Sequence, residues 1–95
     1  MPGKFALKPN YPNPFNAGTV LGYDVPHTAR IRLVIYTVLG QSMRTLVNEE
    51  QAPGSYSVQW KGLDDASSPV SSGVYLYRLE TNSEFNATGK MLLLR

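Results

Sequence analysis

His27 is the one histidine in this 95-residue chain, and cysteine is absent. A serine–histidine–carboxylate arrangement would therefore have to run through His27. That residue follows Pro26 in a loop-like stretch, and no Gly-x-Ser-x-Gly elbow is present. His27 reads as a solvated loop histidine. The lack of cysteine removes disulfides, thiolate catalysis and Cys-based zinc sites together. It is compatible with cytoplasm, periplasm or cell surface. Among the seven carboxylates, Asp64 and Asp65 sit in a Ser/Gly-rich loop that could offer oxygen ligands to calcium. No EF-hand spacing or further nearby carboxylate supports that, and capping of the loop's own amides is the expected role. No glycine-rich phosphate loop occurs. Asn86-Ala87-Thr88 fits a glycosylation acceptor, a pattern common by chance.

Binding chemistry is the other possibility. Arg30 and Arg32 share a strand face and could lie near Lys90 or Arg95. A net charge of +2 is too small to carry nucleic-acid binding, and ordinary outward strand charge is expected. Tyr11, Tyr23, Tyr36 and Tyr77 could stack on a sugar if they lined one outer face. The competing role is to fill a core. Tyr56 and Trp60 are assigned to the core by strict alternation.

The elements that must hold these residues are strands. Apolar residues make up 42% of the chain and charged residues 17%, the latter below the usual ~25%. Eight glycines and seven prolines punctuate short runs rich in Val, Ile, Tyr and Leu, and no convincing 3.6-residue period appears. Strands are predicted over 19–25, 30–37, 42–48, 54–60, 73–81 and 85–94. Gly40 supplies the turn after residue 37, residues 49–53 form a polar loop, and Asn82-Ser83 turns the chain. Residues 1–16 form an extended Pro/Asn-rich lead-in, stiffened by Pro12 and Pro14, with Tyr11 and Phe15 as anchors. Residues 17–95 form the folded unit. The fold class is all-β: an antiparallel sandwich of about seven strands, with a small closed barrel as the alternative. No apolar run can span a bilayer, and no secretory signal opens the chain. If exported, the domain is expected to ride on a longer protein.

Six motifs occur in order: Asn10-Tyr11-Pro12-Asn13-Pro14-Phe15-Asn16; Ile35-Tyr36-Thr37-Val38-Leu39-Gly40; Arg44-Thr45-Leu46-Val47; Gly54-x-Tyr56-x-Val58-x-Trp60-Lys61-Gly62; Ser72-Gly73-Val74-Tyr75-Leu76-Tyr77-Arg78-Leu79; and Lys90-Met91-Leu92-Leu93-Leu94-Arg95. Together they closely resemble the type A C-terminal sorting domain of the type IX (Por) secretion system. They also resemble the immunoglobulin-like domain of the flagellar hook-capping family. The resemblance covers about residues 5–95. It implies an Ig-like β-sandwich at the C-terminus of a secreted or cell-surface bacterial protein that passes through the periplasm. It implies an address rather than an enzyme, with no cofactor. The implied partners are an N-terminally fused cargo, the outer-membrane type IX translocon and a sortase-like peptidase.

Carried over by position, the tail is Lys90, Met91, Leu92, Leu93, Leu94 and Arg95. The motif glycines are Gly40 and Gly73, and the lead-in motif contains Asn10, Pro12, Pro14 and Phe15. One departure is Asp65-Ala66-Ser67-Ser68, where relatives often place a glycine last. The terminal strand is expected to be an accessible edge, open to strand addition or to reading of its side chains. The domain is expected to be a monomer. Two other readings fit the composition: a carbohydrate-binding accessory module, or a structural Ig-like spacer of a secreted glycan-degrading enzyme.

Overall fold

Strict alternation of apolar and polar residues makes each strand two-faced, and two such sheets bury their apolar faces against each other. A computed structural model, describing residues 2–82 and 84–95, shows this arrangement. Its strands are β1 (Ala6–Leu7), β2 (Thr19–Val25), β3 (Ala29–Thr37), β4 (Ser42–Gln51), β5 (Gly54–Trp60), β6 (Gly73–Thr81) and β7 (Asn86–Leu93). They form a three-stranded sheet in the order β1-β2-β5 and a four-stranded sheet in the order β4-β3-β6-β7. All pairings between these strands are antiparallel. Two separate sheets make this a sandwich and not a closed barrel.

The inner faces follow the period of two. Leu21, Tyr23 and Val25 of β2 face Ile31, Leu33 and Ile35 of β3 and Tyr75, Tyr77 and Leu79 of β6, with Trp60 and Met91 filling one end. Burial of each large apolar side chain stabilises the fold by ~1.5–3 kcal/mol. Trp60 is buried as its alternation demands, and its indole N–H donates to the Leu63 carbonyl at 2.8 Å. Phe15 and Tyr75 lie against it at ring distances of 5.8 and 5.5 Å.

The structure corrects three details. Strand β4 continues through Glu49, Glu50 and Gln51, which pair with Ile31, Arg30 and Ala29. Glu49 and Glu50 are polar because this end of the β4 edge strand faces water, and Gln51 is polar because it accepts from the Tyr23 hydroxyl at 2.6 Å; the chain does not leave the sheet. Strand β1 is an addition the sequence did not signal. Tyr23 and Tyr77 occupy inward positions and are buried, so the four tyrosines form no sugar platform on one outer face. Met1 and Ser83 lie outside the described residues, and with Ser83 lies half of the expected Asn82-Ser83 turn.

Candidate functional site

The lead-in and the last strand meet along one seam. Phe15 inserts its ring into the core, and its backbone runs parallel to the end of β7. Its amide donates to the Leu92 carbonyl at 3.0 Å, and the Leu94 amide donates to the Phe15 carbonyl at 2.8 Å. Two residues earlier, the Asn13 carboxamide imitates a strand. Its oxygen accepts from the Leu92 amide at 3.0 Å, and its nitrogen donates to the Lys90 carbonyl at 3.4 Å. Pro12 and Pro14 cannot donate backbone hydrogen bonds, so side-chain and alternate-residue contacts close this edge. Both prolines follow cis peptide bonds. The outer edge of β7 between Lys90 and Leu94 is thus occupied, which corrects the expected open edge.

Asn10 anchors the lead-in from inside. Its amide donates to the Tyr77 hydroxyl at 3.2 Å, and its carboxamide nitrogen donates to Thr19 Oγ1 at 3.1 Å and to the Pro12 carbonyl at 3.3 Å. Its buried carboxamide oxygen has no hydrogen-bond partner among the described residues. Tyr77 reaches this segment only because Gly89, directly opposite on β7, has no side chain. A Cβ on Gly89 would overlap the Tyr77 ring.

The tail divides by alternation. Met91 and Leu93 are buried, each about 1% exposed, whereas Lys90 and Leu94 are exposed and Leu92 is half-buried. Arg95 closes the loop between β5 and β6. Its Nε donates to the Val70 carbonyl at 2.7 Å and its Nη2 to the Gly62 carbonyl at 2.8 Å. The rigid guanidinium fork suits two carbonyls held at a fixed spacing. Burial pushes the nearby Tyr75 phenol above its ordinary value, partly opposed by the Arg95 charge. A groove of about 290 Å³ runs beside this seam, lined by Pro12, Pro14, Phe15, Asn16 and Leu94.

The motif glycines lie at the same end of the sandwich. Gly73 opens β6 opposite Leu93. Gly40 turns the chain between β3 and β4 with φ of 87°, a region costly for any residue bearing a Cβ. Because Thr37 pairs with Tyr75 and Tyr75 with Met91, this turn lies in line with the seam. Tail, lead-in and both glycines therefore share one end of the molecule.

The remaining candidates sit elsewhere or serve the fold. His27 is exposed, with Nε2 3.3 Å from a Glu84 carboxylate oxygen and its ring edge-on to Phe5. Asp64 accepts from the Ala66 and Ser68 amides at 3.0 and 2.9 Å, and Asp65 accepts from the Thr45 amide at 3.0 Å. In the departing stretch Ser67 takes a left-handed backbone with φ of 63°. Among the described residues no group of three or more His, Asp or Glu side chains could hold a metal ion. Arg30 bonds Asn48, and Arg32 pairs with Glu80, at the end of β3 away from Lys90 and Arg95. The Asn13 bracket and the Arg95 clasp escape sequence reading, because each joins residues far apart in the chain and no local pattern marks either.

This architecture and seam define an immunoglobulin-like β-sandwich. The FlgD Ig-like domain family matches residues 10–84, and the chain belongs to that family. Two solved structures from Porphyromonas gingivalis contain a similar fold. One is dimeric latent PorU, 16% identical with a TM-score of 0.75, matched over 96% of this chain and 9% of that one. The other is PorZ, described as an essential bacterial surface component of the type-IX secretion system. It is 18% identical with a TM-score of 0.62, over 96% of this chain and 11% of that one. The chain thus spans about a tenth of the length of either. Among curated proteins none matches it.

Proposed function

We propose that this domain is a non-catalytic C-terminal sorting module. It directs a larger, N-terminally fused cargo across the outer membrane by type IX secretion and on to the cell surface. The carrying observation is convergence: the tail from Lys90 to Arg95, the lead-in from Asn10 to Phe15, and Gly40 and Gly73 occupy one end of the sandwich. A receptor that handles many cargoes needs one rigid, cargo-independent surface. The seam supplies it, because main-chain bonds and buried side chains fix the outward residues Lys90, Leu92 and Leu94. The shared fold with a surface component of the type IX system supports the same reading. The translocon and a sortase-like peptidase are the partners this role requires.

The test fuses residues 1–95 to a folded reporter in a type IX-competent host and in a translocon-deficient strain. Reporter on the surface of the first and periplasmic in the second is the expected result. Periplasmic retention in both, with the domain folded by circular dichroism, would sink the proposal.

A further inference from the structure

Beyond the seam, the outer face of the four-stranded sheet has a region that the fold does not need. The register sets Tyr36 beside Leu76 and Leu76 beside Lys90. The next outward row sets Val74 beside Leu92, and the turn carrying Val38 and Leu39 begins directly after Thr37, which pairs with Tyr75, the neighbour of Val74. Same-face neighbours on adjacent strands lie ~4.5–5.5 Å apart, so these rows form one continuous surface. Val38 is 62% exposed and Val74 40%, and Leu39 at the turn tip is 85% exposed. Isolated exposed apolar residues are ordinary, whereas a contiguous patch marks an interaction site. A cleft of about 180 Å³ opens within it, lined by Tyr36, Gly40, Leu76, Arg78 and Thr88.

Charge and shape select the occupant. Lys90 makes no ion pair among the described residues and stands in the Leu76 row, whereas Arg78, one row away, is held by Glu80 at 3.6 Å and by Asn86 at 2.7 Å. Asp24, Glu49, Glu50 and Glu84 lie toward the opposite end of the sandwich, Glu80 is paired with Arg32 and Arg78, and Asp64 and Asp65 are committed to backbone amides. The patch is therefore apolar, with Lys90 as an unpaired cation at its border among the described residues. A second copy docked by a two-fold axis through the patch would bring Lys90 toward its own equivalent, which like-charge repulsion opposes. A recessed cleft calls for a fixed protrusion, which a protein surface presents and a fluid bilayer does not. The cleft is also smaller than the ~300–1,000 Å³ of small-molecule sites, and it suits one protruding side chain.

We infer that the face formed by Tyr36, Val38, Leu39, Val74, Leu76 and Leu92 docks a protein surface that offers an apolar side chain to the cleft and a carboxylate to Lys90. This rests on the sorting reading, since it names the surface through which a receptor would hold the domain. Interfaces of this kind concentrate their energy in a few central residues, so single changes should be decisive.

The test combines reporter export in the type IX-competent host with photocrosslinking from a benzophenone side chain at position 39 or position 57 of the full chain. Leu39→Glu and Lys90→Glu alter exposed side chains and should leave the melting temperature unchanged. Each is expected to lower surface reporter at least tenfold. Ser57→Glu, on the outer face of the other sheet, should leave it unchanged. The probe at 39 should join one host protein with an acidic surface, through a crosslink that Lys90→Glu abolishes, and the probe at 57 should not. Export within twofold of wild type for both face variants overturns the inference and leaves the sorting reading standing. A wild-type reporter that stays inside overturns the sorting reading, and the crosslink from position 39 then decides the docking face alone. A dimer in sedimentation, or binding to phosphatidylglycerol vesicles, that Leu39→Glu abolishes assigns the face to a second copy or a membrane and also overturns it.

Discussion

Gly89 shows how one missing side chain can decide a packing arrangement. The Tyr77 ring lies over it, and the hydroxyl beyond accepts from the Asn10 amide. Gly89→Ala would push that ring out of place, and overpacking of this kind costs ~1–3 kcal/mol. Urea unfolding should place the variant in that range, whereas Tyr77→Phe, which removes only the hydroxyl, should cost ~1 kcal/mol. Tyrosines also set an alkaline limit. Burial raises the Tyr23 phenol above its ordinary value, opposed by its hydrogen bond to Gln51 and reinforced by Tyr56 and Glu49, and burial raises Tyr75 likewise. A raised phenol favours the neutral form in the fold. The stabilisation is then complete below the unfolded value of about 10 and is lost as pH rises through the folded value. Melting temperature should fall across that window, and a Tyr23→Phe/Tyr75→Phe double variant should fall less steeply.

At the scale of elements, β7 is both core and surface, and this bears on any deletion experiment. Truncation after Gly89 removes Met91 and Leu93 from the core together with the Arg95 clasp. Near-ultraviolet circular dichroism should show loss of tertiary structure, so failed export of that truncation would report unfolding and not a lost address. Asn13→Ala is gentler. It deletes two exposed hydrogen bonds to β7 and should cost ~1 kcal/mol in urea unfolding. The strands legible in the sequence are those with one face in the core: β2 and β5 have the predicted limits, and β3 begins one residue early. Strand β4 ran past its predicted end because Asn48, Glu49 and Glu50 are exposed, and Gln51 turns inward only to accept from the Tyr23 hydroxyl. Strand β1 is two residues long, too short for any period to show. At the seam, the sequence placed the anchor Phe15 and the motif residues, since prolines and aromatics mark them locally. That the lead-in lies along β7 depends on contacts between opposite ends of the chain, which alternation does not encode.

For the whole molecule, the Phe15–Leu93 bridge has a mechanical consequence. The lead-in runs parallel to β7 there, so force applied between the two ends of the domain pulls the segments past each other. The Phe15 and Asn13 bonds to β7 would then be loaded together in shear, and would not peel open one at a time. Single-molecule pulling through the termini should show one high-force rupture, lowered by Asn13→Ala and lower still when the same domain is pulled across β4 and β5. A domain built this way resists traction on its own chain better than one whose terminal contacts peel open singly, a property that would suit the towing of an attached cargo under the proposed sorting role.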